Sequence, residues 1–413
     1  MLVSVLTLGC KVNEVESRSI MKELSNSGID VTEQLISADA YVLNTCAVTV
    51  EADRKCRQYI GKIRKQNPLA PIYVCGCSSQ NNPSRYLEME NVVFVSGSGK
   101  KREVISAVLS GSTKEKQSTV SEISCEYEEL VIPDNVSSRI FVKIQDGCNN
   151  FCSYCIIPFV RGRERSRSQD EILKEIEASV GKTKEIVLTG INVSSYGKDI
   201  GSSLKELCSK LGDYPIRKRL SSLECNVIDD ELLETLKNSG FCDHFHLSLQ
   251  SGCDNVLKAM NRHYTTKIYA EKVDLIRKHF PNAGITTDII TGFPTETEED
   301  FLTTCDFAKS MAFSDIHIFP YSERPGTRAA RMPQIEMSER RMRAARLAEI
   351  KKKLVDDFLK KQLGKTLEVF FEEEYDGIAE GYSSNYVRVY SSSAHSGELL
   401  SVTPTKLYRK GVK

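Results

Sequence analysis

Residues 139–155 read RIFVKIQDGCNNFCSYC, and this stretch decides the fold of the central part of the chain. A strand-like segment leads through a glycine into a loop that carries Cys148, Cys152 and Cys155, spaced by three and then by two residues. Structural zinc usually takes four ligands in paired short spacings, and no fourth Cys or His lies nearby in the sequence. Three thiolates instead suit a [4Fe–4S] cluster with one iron left open to a small molecule.

The alternation of strand and helix continues from this loop to about residue 322. The strand candidates are RIFVKIQ, KEIVLTG, IRKRLSSLE, DHFHLSLQ, GITTDIITGF and SDIHIFPYS, with helical stretches between most of them. These six units predict a partial (β/α)6 barrel, whose functional loops lie at the carboxyl ends of the strands. The loop with three cysteines follows the first of these strands.

The first 110 residues or so repeat a strand, a turn and a helix, which predicts a doubly wound parallel sheet covered by helices. Three of the strands run into a cysteine: LVSVLTLG into Cys10, ADAYVLNT into Cys46 and APIYVCG into Cys77. The carboxyl ends of parallel strands face one crevice. We therefore expect these three thiols to converge despite their separation in sequence.

The composition favours a cytoplasmic protein with ordinary hydrophobic cores. Of its 413 residues 40% are hydrophobic, and the apolar run after Met1 is too short for a signal region or a membrane span. In a reducing compartment 14 cysteines do not form a disulfide framework, so their spacing points to metal ligation. Lys plus Arg equals Asp plus Glu at 56 each, so net charge indicates no polyanionic partner.

The remaining cysteines and the histidines show no metal-binding spacing. We expect eight cysteines to be packing residues, and the six histidines suggest no site. The eight are Cys56, Cys75, Cys125, Cys208, Cys225, Cys242, Cys253 and Cys305.

Four segments are predicted along the chain. They are an N-terminal domain at 1–112, a polar linker at 113–133, the barrel domain at 134–364 and a small β-barrel at 365–413. A helix is expected from Ser338 to a C-cap at Gly364. Residues 324–353 hold ten basic and three acidic residues, and a second basic run, RGRER, follows the central cysteines. Such runs are either solvated faces or contacts to the RNA backbone.

The motifs together resemble one family over nearly the whole chain. CNNFCSYC followed by IIPFVRGRERSR resembles the cluster loop of radical S-adenosylmethionine (SAM) enzymes, and more narrowly of the methylthiotransferases. TLGCKVN, LNTCAVT and CGCSSQ look like the three motifs whose cysteines hold the auxiliary cluster of that family. Within CGC the resemblance implies Cys77 as the ligand and Cys75 as a buried strand residue. GIAEGYSSNYVRVY and TPTKLYRKG are similar to the TRAM domain, a small RNA-binding β-barrel.

The resemblance implies two [4Fe–4S] clusters, one on each set of three cysteines, with SAM bound at the central one. Candidate SAM contacts at strand ends or beside the cluster are Tyr154, Gly190, Asn192, Glu224 and Gln250. A core aromatic is an equal interpretation for Tyr154. LTGIN replaces the Gly-Gly-Glu sequence common in the wider superfamily, and Asp288 is either a site residue or part of a strand end before a helix cap. No catalytic acid or base is assigned.

The activity implied is methylthiolation of C2 of N6-threonylcarbamoyladenosine at position 37 of tRNA, driven by a flavodoxin- or ferredoxin-like electron donor. A radical is required because this C–H bond is too weak an acid for proton abstraction. The other branches of the family act on N6-isopentenyladenosine in tRNA or on an aspartate of a ribosomal protein. Two other hypotheses are a radical enzyme whose N-terminal cluster only relays electrons, and a non-catalytic iron–sulfur RNA-binding protein.

Overall fold

The computed structural model describes residues 1–111, 115–133 and 137–413. Its N-terminal part is a six-stranded sheet in the order β2-β1-β3-β4-β5-β6, and every pairing in it is parallel. Helices α1 and α5 pack on one face of this sheet and α2 and α4 on the other, each over its own hydrophobic core. The predicted doubly wound parallel sheet is therefore confirmed. The elements are β1 Leu2–Thr7, α1 Lys11–Asn26, β2 Asp30–Thr32, β3 Ala40–Thr45, α2 Val50–Gln66, β4 Ile72–Gly76, α3 Cys77–Asn81, α4 Pro83–Leu87, β5 Val92–Val95, α5 Lys101–Ser110 and β6 Gln117–Ser118.

The central part is a partial barrel of six parallel strands with helices outside. The strands form one sheet that contains β10-β9-β7, extended by the short antiparallel β8, and a second sheet, β11-β12-β13. Isolated bridges connect the two sheets between β10 and β11. All six predicted strands are present, in the predicted order.

The largest hydrophobic core of the molecule lies between these strands and their outer helices. The elements are β7 Arg139–Asp146, α6 Ile157–Val160, β8 Arg165–Ser166, α7 Gln169–Ser179, β9 Glu185–Gly190, α8 Leu204–Lys210, β10 Arg217–Leu220, α9 Asp230–Asn238, β11 His244–His246, α10 Asp254–Ala259, α11 Thr266–His279, β12 Gly284–Thr291, α12 Glu298–Met311, β13 Asp315–Pro320 and α13 Met337–Lys360. The last helix ends four residues before Gly364, the predicted cap, because a turn occupies the residues between them.

The C-terminal part is a mainly antiparallel six-stranded sheet in the order β17-β14-β15-β16-β19-β18. Its core contains Val369, Phe371 and Val389, with Leu359 from the end of α13. The likeness to a TRAM barrel stays a prediction. The strands are β14 Leu367–Tyr375, β15 Ile378–Ser383, β16 Arg388–Ser391, β17 Leu399–Val402, β18 Leu407–Tyr408 and β19 Gly411–Val412.

The three boundaries between the four predicted segments also stay predictions. Two of them fall at residues 112–114 and 134–136, which lie outside the described residues. Inside the predicted linker, β6 pairs with β5 and so extends the N-terminal sheet. In the part of the chain that the structure describes, no helix has the length and apolar character needed to cross a membrane.

Candidate functional site

The structure brings Cys10, Cys46 and Cys77, here called the N-terminal triplet, to the carboxyl ends of three neighbouring strands. Cys10 precedes α1, Cys46 follows β3 directly, and Cys77 is the first residue of α3 after β4. Cys46 and Cys77 are buried, whereas Cys10 is exposed beside a cavity of about 310 Å³. The convergence expected from a parallel sheet is present.

Two glycines allow the three loops to approach this closely. A Cβ on Gly9, whose φ is +117°, would lie 2.7 Å from Cβ of Cys46 and 3.0 Å from its Sγ. A Cβ on Gly76, whose φ is +107°, would lie 2.5 Å from the carbonyl oxygen of Thr45. Only glycine fits both the left-handed backbone and the lack of space at these positions.

The electrostatics of the N-terminal triplet also show that its thiols are close together. Burial, with smaller contributions from repulsion by Cys77 and Cys10, raises the pKa of Cys46 to about 12. Burial likewise raises the pKa of Cys77, while the positive charge of the Arg161 guanidinium lowers it in part. Three clustered thiols offer sulfur ligands to a metal centre, and binding of the metal would displace their protons.

Arg161 connects this triplet to the barrel. Its side chain is fully buried, Nε donates to Sγ of Cys77 at 3.1 Å, and a terminal nitrogen donates to Oδ1 of Asn13 at 2.6 Å. The other terminal nitrogen pairs with Glu16 of α1 and with Asp146 at the end of β7. The guanidinium therefore fixes the N-terminal sheet against the start of the central cysteine loop.

We call the surrounding ion pairs the buried charge network. Four cations face two carboxylates in it, which leaves two positive charges in excess. Excess buried positive charge needs an anionic partner nearby, and Cys77 beside Arg161 would provide one once its thiol is deprotonated. The members are Glu16, Lys101, Lys143, Asp146, Arg161 and Arg165.

Cys148, Cys152 and Cys155, the central triplet, lie in one loop beyond β7. Gly147 at φ +72° and Phe151 at φ +47° turn the backbone, and the Cys155 amide donates to the Cys152 carbonyl at 2.9 Å. Burial raises the pKa of Cys155 to about 12, and Cys152 and Cys148 add to the shift. A terminal nitrogen of Arg262 donates to Sγ of Cys152 at 3.2 Å.

The spacing of the sulfurs tests which metal group fits. Among the described residues, the one group of three potential ligands whose atoms all lie within 4.8 Å of one another is His246, Asp288 and His317. The sulfurs of each triplet are thus spread more widely. Thiolates on a single zinc, at about 2.3 Å each, would lie closer than this, whereas those around a four-iron cube are further apart.

A cavity of about 160 Å³ lies beside the central triplet. Of the predicted SAM contacts, Asn192 and Glu224 line it. Oε1 of Glu224 accepts from Asn150 at 2.6 Å and pairs with Arg262 at 3.1 Å. Nδ2 of Asn192 lies 4.0 Å from Sγ of Cys148. The polar wall of this cavity therefore continues to the sulfurs.

The other three predicted contacts lie outside the cavity lining. Tyr154 packs against an apolar group that includes Phe293 and Tyr321. Gly190 ends β9, where a Cβ would lie 3.0 Å from Gln145. Gln250, at φ +70°, bridges to Ile289 of β12. Their contact with a ligand stays a prediction.

Sequence reasoning missed Arg161 and Arg262, and it misjudged much of the basic character. Within RGRER, Arg161 and Arg165 are buried in ion pairs, while Arg163 is exposed and stacks on Phe151 at 4.5 Å. Three of the ten basic residues in 324–353 are buried as well: Arg324, Arg340 and Arg343. For Arg161 the signal was its position six residues after Cys155, close to the thiols of the central loop. Arg262 lies 110 residues from Cys152 in sequence, so local pattern could not reveal their contact.

Two further expectations need correction. The histidines do form a metal-type group in space, since His246 and His317 flank Asp288 from neighbouring strands, a proximity that linear spacing cannot reveal. Most of the eight other cysteines are buried as expected, but Cys125 is exposed. Cys75 is fully buried within β4, in agreement with the assignment of Cys77 as the site residue of that pair.

The fold is that of a known class. Residues 142–308 match the model of the Radical SAM superfamily, and residues 2–97 match a model described as Uncharacterized protein family UPF0004. Among solved structures, the radical S-adenosylmethionine methyltransferase TsrM from Kitasatospora setae superposes with a TM-score of 0.56 at 16% identity. That match covers 79% of this chain and 73% of TsrM and shows a shared fold. The barrel and its three-cysteine loop are thus those of a radical SAM protein.

Curated relatives narrow this class to a family. The Threonylcarbamoyladenosine tRNA methylthiotransferase MtaB of Bacillus subtilis is 38% identical, over 94% of this chain and 89% of the relative. The protein of that name from Thermotoga maritima is 37% identical, over 99% and 96%. A tRNA-2-methylthio-N(6)-dimethylallyladenosine synthase of Fusobacterium nucleatum is 37% identical, over 89% and 88%. The chain belongs to the radical SAM methylthiotransferases, a family of enzymes whose cofactors are SAM and [4Fe–4S] clusters.

Proposed function

We propose that this enzyme converts N6-threonylcarbamoyladenosine at position 37 of tRNA to its 2-methylthio derivative. The observation that carries the proposal is the pair of thiol triplets, joined through Arg161, on a chain similar over almost its full length to relatives named for this reaction. We further propose that it works in the cytoplasm with a flavodoxin- or ferredoxin-like electron donor.

The central triplet would hold one cluster and the N-terminal triplet the other. When bound, the central cluster with SAM supplies a radical able to abstract hydrogen from C2, and the N-terminal cluster carries the sulfur to be transferred. Arg262 beside Cys152 and Arg161 beside Cys77 offset thiolate charge at the two sites. Buried cations of this kind stabilise anionic groups that are screened from water.

The side chains of the cavity wall would bind SAM. Glu224 and Asn192 offer an acceptor and a donor to its amino and carboxylate groups, and Arg262 holds Glu224 in place. This arrangement positions the cofactor beside Cys148 before the reaction begins.

The C-terminal sheet and the exposed basic residues before it would contact tRNA. On α13, Arg341, Lys352 and Lys353 are exposed. Lysine and arginine on a shared surface attract the phosphate backbone whatever its sequence. The buried arginines of the same segment serve the fold instead.

Nucleoside mass spectrometry of tRNA tests the proposal. We expect the full-length enzyme, expressed in cells that lack their own copy, to restore the methylthio form of threonylcarbamoyladenosine. A variant with serine in place of Cys10, Cys46 and Cys77 should lose this product, fall from about eight to about four irons per chain and still cleave SAM. Cys56→Ser is the matched control, because Cys56 is buried next to Cys46 without belonging to the triplet.

Product formation by the triple variant would refute the role of the N-terminal triplet. If the enzyme instead modified N6-dimethylallyladenosine, the substrate named for other relatives, the substrate assignment would be wrong.

A further inference from the structure

The inner face of the partial barrel carries a row of polar side chains that the reaction site described above does not use. Along β11, β12 and β13 the residues of one parity, among them Phe245, Ile285, Ile289 and Ile316, are buried in the main core. Because side chains alternate along a strand, the opposite parity points into the barrel. These inner residues are His244 and His246 on β11, Thr286 and Asp288 on β12, and His317 on β13.

Asp288 lies between His246 and His317 and contacts both of them. Its Oδ2 lies 3.1 Å from Nε2 of His246, and its Oδ1 lies 3.3 Å from Nδ1 of His317. The two imidazole rings stack with centroids 5.2 Å apart. Nδ1 of His246 is already bonded to the Thr286 hydroxyl at 2.9 Å, so His246 has no free ring nitrogen.

His317 is the member that still offers a donor. Its side chain is 52% exposed, against 23% for Asp288 and 10% for His246. The hydrogen bond that His317 donates to the Asp288 carboxylate raises the pKa of His317, which favours the imidazolium. With Nδ1 directed at the carboxylate, Nε2 of the charged ring remains to bind a second anion.

Lys11 lies on the opposite side of the same space. It follows Cys10 in sequence, is exposed, and its Nζ lies 5.2 Å from the ring centroid of Phe141 on β7. Within the described ranges 1–111, 115–133 and 137–413 it makes neither an ion pair nor a hydrogen bond. Burial and Arg219 lower the pKa of His244 most, and the charges of Lys11 and His317 also lower it. Phe141 has the parity opposite to the core residues Ile140 and Val142 of β7, so Lys11 over its ring faces the same interior as His317.

The other cations of the inner face converge on one carboxylate and are less exposed. Arg139, Arg217 and Arg219 each pair with Glu185, at 2.5, 2.8 and 2.9 Å. Unlike these arginines, Lys11 and His317 are exposed, so they are accessible to an incoming anion. Lys11 directly follows Cys10, next to which the base would lie in the proposed reaction.

Building on the proposed function, we propose that Lys11 and His317 bind the carboxylate of the N6-threonylcarbamoyl group of the substrate. Asp288 acts as a positioning residue that orients His317. The threonyl carboxylate is the one full negative charge by which this nucleoside differs from N6-dimethylallyladenosine. A pair of cations stabilises the bound threonylcarbamoyl nucleoside but makes no favourable contact with the uncharged dimethylallyl group. Charge complementarity would in this way create specificity.

Binding of modified anticodon stem-loops tests the proposal. The probes carry N6-threonylcarbamoyladenosine as the free acid or as its methyl ester, and fluorescence anisotropy at one fixed salt concentration gives their dissociation constants for the reconstituted full-length enzyme. We expect the ester to bind about tenfold more weakly, as for loss of a hydrogen bond to a charged group. His317→Gln and Lys11→Gln should reduce this difference, with iron content near eight per chain showing that the clusters are intact.

His279→Gln is the matched control. His279 also pairs with a carboxylate, that of Asp230, but it lies on the outer helix α11. It should leave the preference for the acid unchanged.

Equal binding of acid and ester by the wild-type enzyme, or an unchanged preference in His317→Gln, would overturn the proposal. A zinc or manganese ion that binds in addition to the iron and is lost in Asp288→Asn would also overturn it, because the imidazoles would then be metal ligands. A clear preference for the acid without any methylthio product would instead refute the proposed function alone.

Discussion

The side chain of Arg161 contacts Cys77 and both carboxylates of the buried charge network, so Arg161→Met tests how far that network supports the N-terminal triplet. Methionine retains much of the volume but none of the hydrogen bonds. Removing one partner from a buried ion pair costs about 3–5 kcal/mol, because it leaves uncompensated charge in the interior.

The structure places the expected cost near the lower limit. After the substitution Glu16 still faces Lys143 at 2.8 Å and Lys101 at 3.2 Å, and Asp146 still faces Lys143 at 2.7 Å. Both carboxylates thus keep a cation. Asn13 loses its donor, which adds about 1 kcal/mol, for a sum of about 4 kcal/mol. At about 2–4 °C per kcal/mol, the first thermal transition should fall by about 8–16 °C.

Thermal unfolding followed by circular dichroism, together with iron analysis of anaerobically purified protein, measures both effects. We expect iron to drop from about eight toward about four per chain, because the N-terminal triplet loses its cation while the central loop keeps Arg262. Arg163→Met is the matched control, since Arg163 lies two residues away and is exposed. A variant that melts with the wild type and holds its full iron would refute the structural role given to Arg161.

Three further outcomes are expected. Gly9→Ala should reduce iron loading, because its Cβ would clash with Cys46 in the N-terminal triplet. The control is Gly28→Ala, at φ +81° with open space around it. It should cost only the backbone strain of about 1–2 kcal/mol and keep all the iron. Glu224→Gln should weaken SAM binding about tenfold in calorimetry by leaving Arg262 without its carboxylate, and unchanged affinity would contradict the placement of the cofactor. The raised pKa of His317 means that the folded state holds this proton more tightly, so its stabilisation is complete below pH 6.5 and is lost as the pH rises through the folded-state pKa. The difference in unfolding free energy between wild type and His317→Gln should therefore shrink as the pH rises above 6.5, and a constant difference would count against the ion pair.

The sequence allowed a site to be predicted where the residues of that site lie close together along the chain. The central cysteines share one loop, and the six barrel strands were recognisable because alternation of strand and helix repeats along the chain. The convergence of Cys10, Cys46 and Cys77 required one assumption, a parallel sheet, which the pairing of β1, β3 and β4 satisfies.

Contacts between distant segments were not predictable in this way. Arg161 reaches Glu16 across 145 residues, and His246 meets Asp288 and His317 through strand register. In the sequence, Arg161 lies in an ordinary basic run, and the two histidines and Asp288 lie in ordinary strands. Whether an arginine is solvated or buried depends on which surface is placed over it, and local pattern does not carry that information.

The segment from Cys155 to Arg161 connects the central triplet to the side chain that contacts Cys77, and Arg161 lies six residues after Cys155. Fully extended it would reach about 20 Å, and the helical turn α6 within it shortens this distance. One inserted residue in that turn would swing Arg161 by about 100° around its axis and away from Cys77. Length variation among relatives should therefore be confined to other loops, and this connection should tolerate changes of side chain far better than changes of length.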